Sequence, residues 1–135
     1  MAKCTCSICK NIEDTTEYLL YSYRLKKSVL DDDVFGDENE DVSRTSDTMY
    51  YIGMTTRRFE DRIKQHKKKG CKKSTRWGKK FMIRGSEEVR ESFGNLDHKF
   101  GTKKGSLIAK KKYVVREEKK LAMALRKQGH WVYQK

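Results

Sequence analysis

The sequence predicts a mixed α and β domain that closes with one long helix, on three observations. An aromatic-rich run from Glu17 to Val29 alternates like a strand, and a shorter run from Thr48 to Thr55 does the same. Ser106 to Lys127 then repeats apolar residues at helical spacing. At 135 residues the chain is near the modal domain size, so one domain is expected over 1–135. A cysteine-containing extension over 1–16 and an acidic insertion over 31–47 are its two appendages.

Each element has a local cause. In the first run, period two sends Leu19, Tyr21 and Tyr23 to one face. Asp31 to Asp47 carries DDD and GDENED with little apolar content, which predicts a solvated loop between two strands, either unstructured or folded as an acidic flap over a basic surface. The second strand places Tyr50 and Tyr51 on opposite faces, and Gly53 leaves room for a backbone turn or a close phosphate. Thr55 or Thr56 is positioned to cap a helix whose first turn holds Glu60 and Asp61, both suited to the positive helix end. Phe59, Arg62, Ile63 and His66 share a face of that helix, so the Arg and His border its buried stripe. Trp77 and Phe81 form the inner side of a short basic helix. A third strand is expected near Leu96 to Phe100. In the last helix Val114, Glu118, Leu121 and Leu125 form one stripe, with Gly129 as the stop. A carboxylate inside such a stripe calls for a cation beside it.

Charge narrows the partner. A formal +13 implies an anionic ligand, with nucleic acid first, because so many cations repel one another unless phosphates screen them. The densest candidates are Lys64, Lys67, Lys68, Lys72, Lys73, Arg76, Lys79 and Lys80. No apolar run approaches the roughly 20 residues of a membrane span, and MAKCTCSICK lacks a secretory signal's apolar core, so a soluble intracellular protein is expected. In a reducing compartment Cys4, Cys6, Cys9 and Cys71 read as thiols or as ligands for Zn²⁺.

Arg62 and His66, one turn apart, can grip a phosphate-sized anion from one helix face. Together with TEYLLYSYRL, TMYYIGMT and a late helical Glu, this Arg-x-x-x-His resembles the GIY-YIG nuclease family, across most of the chain. Tyr21 in YLLYSYR matches the looser form of the first motif, and Tyr51 matches YIG. One extra residue separates Gly53 from Arg62 relative to the common spacing, Leu19 replaces the GIY glycine, and the Asn beyond the Glu helix is missing. The family's metal-binding Glu falls on Glu118, followed by the apolar Leu121 and Ala122, with Glu117 the runner-up.

The resemblance implies a three-stranded antiparallel sheet flanked by helices and a metal-dependent endonuclease acting on DNA, double-stranded first, with RNA left open. Glu118 would then hold Mg²⁺ or Mn²⁺ and Arg62 would neutralise charge on the phosphate. Tyr21 or Tyr51 would take the water proton, and His66 would orient the tyrosine or relay that proton. A tyrosine has a reference pKa of about 10, so this role anticipates nearby cations that favour the phenolate. The alternative is a non-catalytic, basic nucleic-acid-binding module on the same fold, with or without zinc.

Overall fold

β1 (Asp14–Leu25) is the spine of the sheet, long enough at twelve residues to pair along both edges. The chain is described here by a computed structural model over residues 6–10, 14–68, 75 and 77–134. β2 (Met49–Arg57) and β3 (Glu88–Gly94) flank β1 antiparallel, and β4 (Val132–Gln134) adds to β2 in parallel, giving the order β3-β1-β2-β4. The helices are α1 (Ser7–Lys10), α2 (Asp33–Glu38), α3 (Phe59–Lys67), α4 (Asp97–Phe100) and α5 (Ser106–Lys127). A 3-10 turn spans Lys27–Asp31 and a π-helical turn spans Trp77–Phe81.

The fold is therefore α+β, but its sheet is four-stranded and mixed, where three antiparallel strands were expected. β4 is only three residues long and lies against Tyr50, Tyr51 and Ile52, too short for a periodicity of its own. The third strand also lies earlier than Leu96–Phe100. EVRESFG is an edge strand with mostly solvated side chains, so it shows no apolar alternation. Gly94 (φ 64°) and Leu96 (φ 62°) then turn the backbone through the left-handed region, and Asp97–Phe100 forms a single helical turn. Leu96 tolerates that conformation while buried against Tyr18, Leu20 and Val114.

Alternation along the central pair divides the core into two faces. Tyr21, Tyr23 and Leu25 with Met49 and Tyr51 face Ile63, Trp77 and Phe81. Tyr18, Leu20 and Ile52 face the other way, onto Val114, Ala122 and Leu125 of α5. Trp77 is a core residue, stacked on Tyr133 at 4.2 Å between ring centroids. β2 runs through Thr55 and Thr56, so neither caps α3; Arg58 occupies the N-cap position without a side-chain bond, while Glu60 and Asp61 do fill the first turn. No helix among the described residues is long and apolar enough to cross a membrane.

The acidic insertion is folded, against expectation. Asp32 caps α2 by accepting the Phe35 N–H at 3.0 Å, and Phe35 is fully buried against Trp77 and Trp131. Asn39, also fully buried, uses its whole hydrogen-bonding capacity. Its Nδ2 donates to the carbonyls of Phe35 and Val132, and its Oδ1 accepts from the Val132 N–H and Arg126 Nε. The Thr45 and Ser46 N–H groups both donate to the Gly129 carbonyl. A side chain at Gly129 (φ 89°) would overlap Thr45, which gives this stop signal a second reason to be glycine. Two buried side chains and these backbone bonds thus hold the segment, while all its carboxylates but the half-buried Asp32 are exposed.

Asn39→Ala leaves the Val132 N–H and carbonyl without this partner in a buried setting. The expected loss is about 2–4 kcal/mol of unfolding free energy, read by urea denaturation with intrinsic tryptophan fluorescence.

Candidate active site

The antiparallel register sets Tyr21 opposite Gly53 and Tyr23 opposite Tyr51, so three tyrosines crowd one patch of the sheet. Gly53 makes this possible. A Cβ there would stand 2.7 Å from the Tyr21 hydroxyl oxygen and 2.8 Å from its ring carbon, so the glycine clears the Tyr21 ring within an unbroken strand and does not turn the chain. Tyr23 and Tyr51 stack nearly parallel at 4.7 Å and 6°, and Tyr133 of β4 continues the stack.

α3 then lays His66 edge-on against all three rings at 5.2–5.7 Å. Gly78 permits the approach, because a Cβ there would lie 2.6 Å from both His66 Cβ and its carbonyl oxygen. His66 Nε2 lies 2.8 Å from Tyr21 Oη, and Nδ1 lies 2.9 Å from Tyr23 Oη and 3.0 Å from Thr75 Oγ1. Arg62 and Tyr51 stand beside the Tyr21 hydroxyl, and both favour its ionised form. Arg62 also donates to Gln65 Oε1 at 3.3 Å, and Gln65 Nε2 donates to Cys9 Sγ at 3.3 Å.

Four of the residues singled out in the sequence, Tyr21, Tyr51, Arg62 and His66, thus form one hydrogen-bonded group. Glu118 joins by its field. It lies on the sheet-facing stripe of α5 with Val114, Ala122 and Leu125, on the side of the sheet opposite α3, and is 1% exposed. Its carboxylate nevertheless acts on Tyr21, where it opposes ionisation. Glu117 turns away and pairs with Lys120 at 3.2 Å, so Glu118 is the inward carboxylate of the two.

Burial raises the Tyr21 pKa above its ordinary value and outweighs the opposing Arg62 charge and hydrogen bonds. Tyr23 and Tyr51 are pushed up for the same reason. The anticipated lowering by nearby cations is overturned: desolvation of a phenolate is the larger effect in this closed cluster.

Of the candidate phosphate-binding residues, Lys64, Lys79 and Lys80 are exposed, Lys68 is half-buried, and Lys67 is ion-paired with Glu87 at 3.0 Å. Lys72, Lys73 and Arg76 lie outside the described residues, as do Cys4 and Cys71. Cys6 and Cys9 are half-buried, with the Cys9 N–H donating to Cys6 Sγ, and among the described residues no group of three His, Cys, Asp or Glu side chains converges. Sequence reasoning passed over Tyr23, Gln65 and Thr75 as members of the site. Tyr23 was within reach, being two residues after Tyr21 on the same strand face, and Gln65 follows Arg62 by three on one helix. Thr75 carries no such signal.

No family model, curated protein or solved structure matches this chain.

Two outcomes follow from the tyrosine cluster. A group whose folded pKa is raised stabilises fully below its unfolded value and loses that contribution as pH climbs toward the folded one. Unfolding free energy should therefore fall above about pH 10, by about 1.4 kcal/mol per pH unit for each of the three tyrosines. Urea denaturation between pH 9 and 11.5 reads this slope, and Tyr23→Phe should reduce the tyrosine share by about a third. Gly53→Ala should cost about 1–3 kcal/mol by forcing the Tyr21 ring aside, and a thermal melt would register it.

Proposed function

We propose that this chain is a metal-dependent endonuclease of the GIY-YIG type that hydrolyses phosphodiester bonds of double-stranded DNA. The observation that carries the reading is the Tyr21 hydroxyl, 2.8 Å from His66 Nε2, with Arg62 and Tyr51 beside it. Such an arrangement gives a buried tyrosine a route to act as a base. Were the Tyr21 proton to move to His66 Nε2, the imidazolium would stay 2.8 Å from the phenolate, and Arg62 and Tyr51 would favour the ionised oxygen. That phenolate would accept the proton of the attacking water. Arg62, already beside it, would neutralise charge growing on the phosphate. His66 keeps its other nitrogen on Tyr23 and Thr75, so the ring holds its orientation through the transfer.

Glu118 is the residue to hold Mg²⁺ or Mn²⁺. Magnesium ordinarily takes one or two carboxylates with waters and substrate phosphate oxygens, and one inward carboxylate matches that donor set. An all-protein cage does not fit the described residues, since no three ligating side chains converge and Glu117 is turned to Lys120. When bound, the ion would supply Lewis-acid charge at the phosphate. Tyr21, Tyr51, Arg62, His66 and Glu118 are all 6% exposed or less, and Glu118 lies across the sheet from α3, so a phosphate held by both Arg62 and a Glu118-bound ion requires both helical layers to open.

That same closure favours the second reading, a basic nucleic-acid-binding module whose tyrosine cluster is core. Cleavage of supercoiled plasmid with Mg²⁺ or Mn²⁺ separates the two. The wild type should nick or linearise it, and Arg62→Ala and Glu118→Gln, each verified as folded, should lose activity by at least about 10²-fold. Cutting that survives Glu118→Gln would exclude this carboxylate as the metal ligand. Binding without cleavage by the wild type, with either metal, would assign the module instead.

A further inference from the structure

α5 turns a second cationic surface to solvent. With Val114, Glu118, Ala122 and Leu125 buried, the reverse of the helix carries Lys112, Arg116, Lys119, Met123 and Lys127, all exposed. They recur at i, i+4, i+7, i+11 and i+15, one stripe of about 22 Å at 1.5 Å per residue. Among the described residues Lys112, Arg116, Lys119 and Lys127 make no ion pair, and the stripe holds no carboxylate, since Glu117 lies to its side with Lys120. A shallow groove of about 480 Å³ lies over Ile108, Lys111, Lys112, Val115, Arg116 and Lys119.

The position of this stripe matters more than its charge. Lys64, Lys79 and Lys80 project from the α3 side of the sheet, and α5 covers the other. Two helical layers of about 10 Å each and the sheet separate the two cationic surfaces. One short duplex cannot serve both, because it would have to reverse direction around the protein against a persistence length of about 150 bp.

We infer that the outer face of α5 is a second double-stranded nucleic-acid surface, so the protein holds two duplex segments at once, one on each side of the sheet. This rests on the reading of the chain as a DNA-binding protein and not on its catalysis. A linear phosphate array is the occupant that suits the stripe. Its four cations follow one line, with Met123 inside it and Ile108 one turn before Lys112 as exposed apolar side chains, two isolated contacts set among the cations of the groove.

The test mixes two 20-bp duplexes, one carrying a donor fluorophore and one an acceptor, with the full chain in EDTA so that nothing is cut. Wild type should produce energy transfer at low salt. Lys112→Glu/Arg116→Glu/Lys119→Glu, with helicity checked by circular dichroism, should still bind one duplex but weaken the second step at least about tenfold and abolish transfer. The milder Lys112→Gln/Arg116→Gln/Lys119→Gln serves if the first does not fold. Undiminished transfer in the α5 variant would overturn the inference, as would a wild type that saturates with one duplex. Loss of binding to phosphatidylserine vesicles with duplex bridging unchanged would overturn it in favour of a lipid surface. Bridging without plasmid cleavage would retire the nuclease reading and leave this one standing.

Discussion

The contact between Tyr21 and His66 organises the rest of the molecule, because it can exist only if the sheet and α3 approach more closely than side chains normally allow. Two missing Cβ atoms make that approach possible, at Gly53 beneath the Tyr21 ring and at Gly78 against the His66 backbone. Once the ring of His66 is seated, both of its nitrogens are occupied by hydroxyls from β1 and Thr75. The register of β1 against β2, α3 and the π-helical turn all meet at this one imidazole. Interiors packed to this density respond to a displaced group as a unit.

A hydrogen-bonded interior of this kind makes neutrality its resting condition. Removing a phenolate from water is so unfavourable that Arg62, although beside the Tyr21 oxygen, does not reverse it. The reactive charge separation described above is then a transient shared between neighbours, not a standing property of one side chain. The same logic suits a stable core, which is why geometry alone supports two readings that differ in whether the cluster is ever wetted.

How much of this was legible in the sequence depends on how far each interaction reaches. Tyr21 with Tyr23, and Arg62 with Ile63 and His66, announce their faces through period two and one helical turn, and they face as expected. The α5 stripe was equally readable, as was the outcome that Trp77 is core. β3 was not, because an edge strand whose side chains are mostly solvated carries no apolar rhythm. The acidic insertion misled for a related reason. Its fold depends on Phe35, Asn39 and backbone bonds whose partners Gly129, Trp131 and Val132 are far along the chain, beyond any local pattern. Tyrosine ionisation was misjudged because sequence shows that a cation is near but not how dry the site is.

The bonds of Asn39 to β4 connect positions 93 residues apart, and the aromatic stack from Tyr23 through Tyr51 to Trp77 also passes through that strand at Tyr133. During synthesis, then, the early hairpin and its acidic segment emerge long before the three residues that complete them. Contacts of such sequence separation form late, after loop-closure entropy has been overcome. Until Val132–Gln134 leave the ribosome, one edge of β2 is open and the buried face of α2 lacks its cover. In the interval, the carboxylates of DDD and GDENED surround that uncovered apolar surface with like charge, which opposes its association with the same segment of a neighbouring chain.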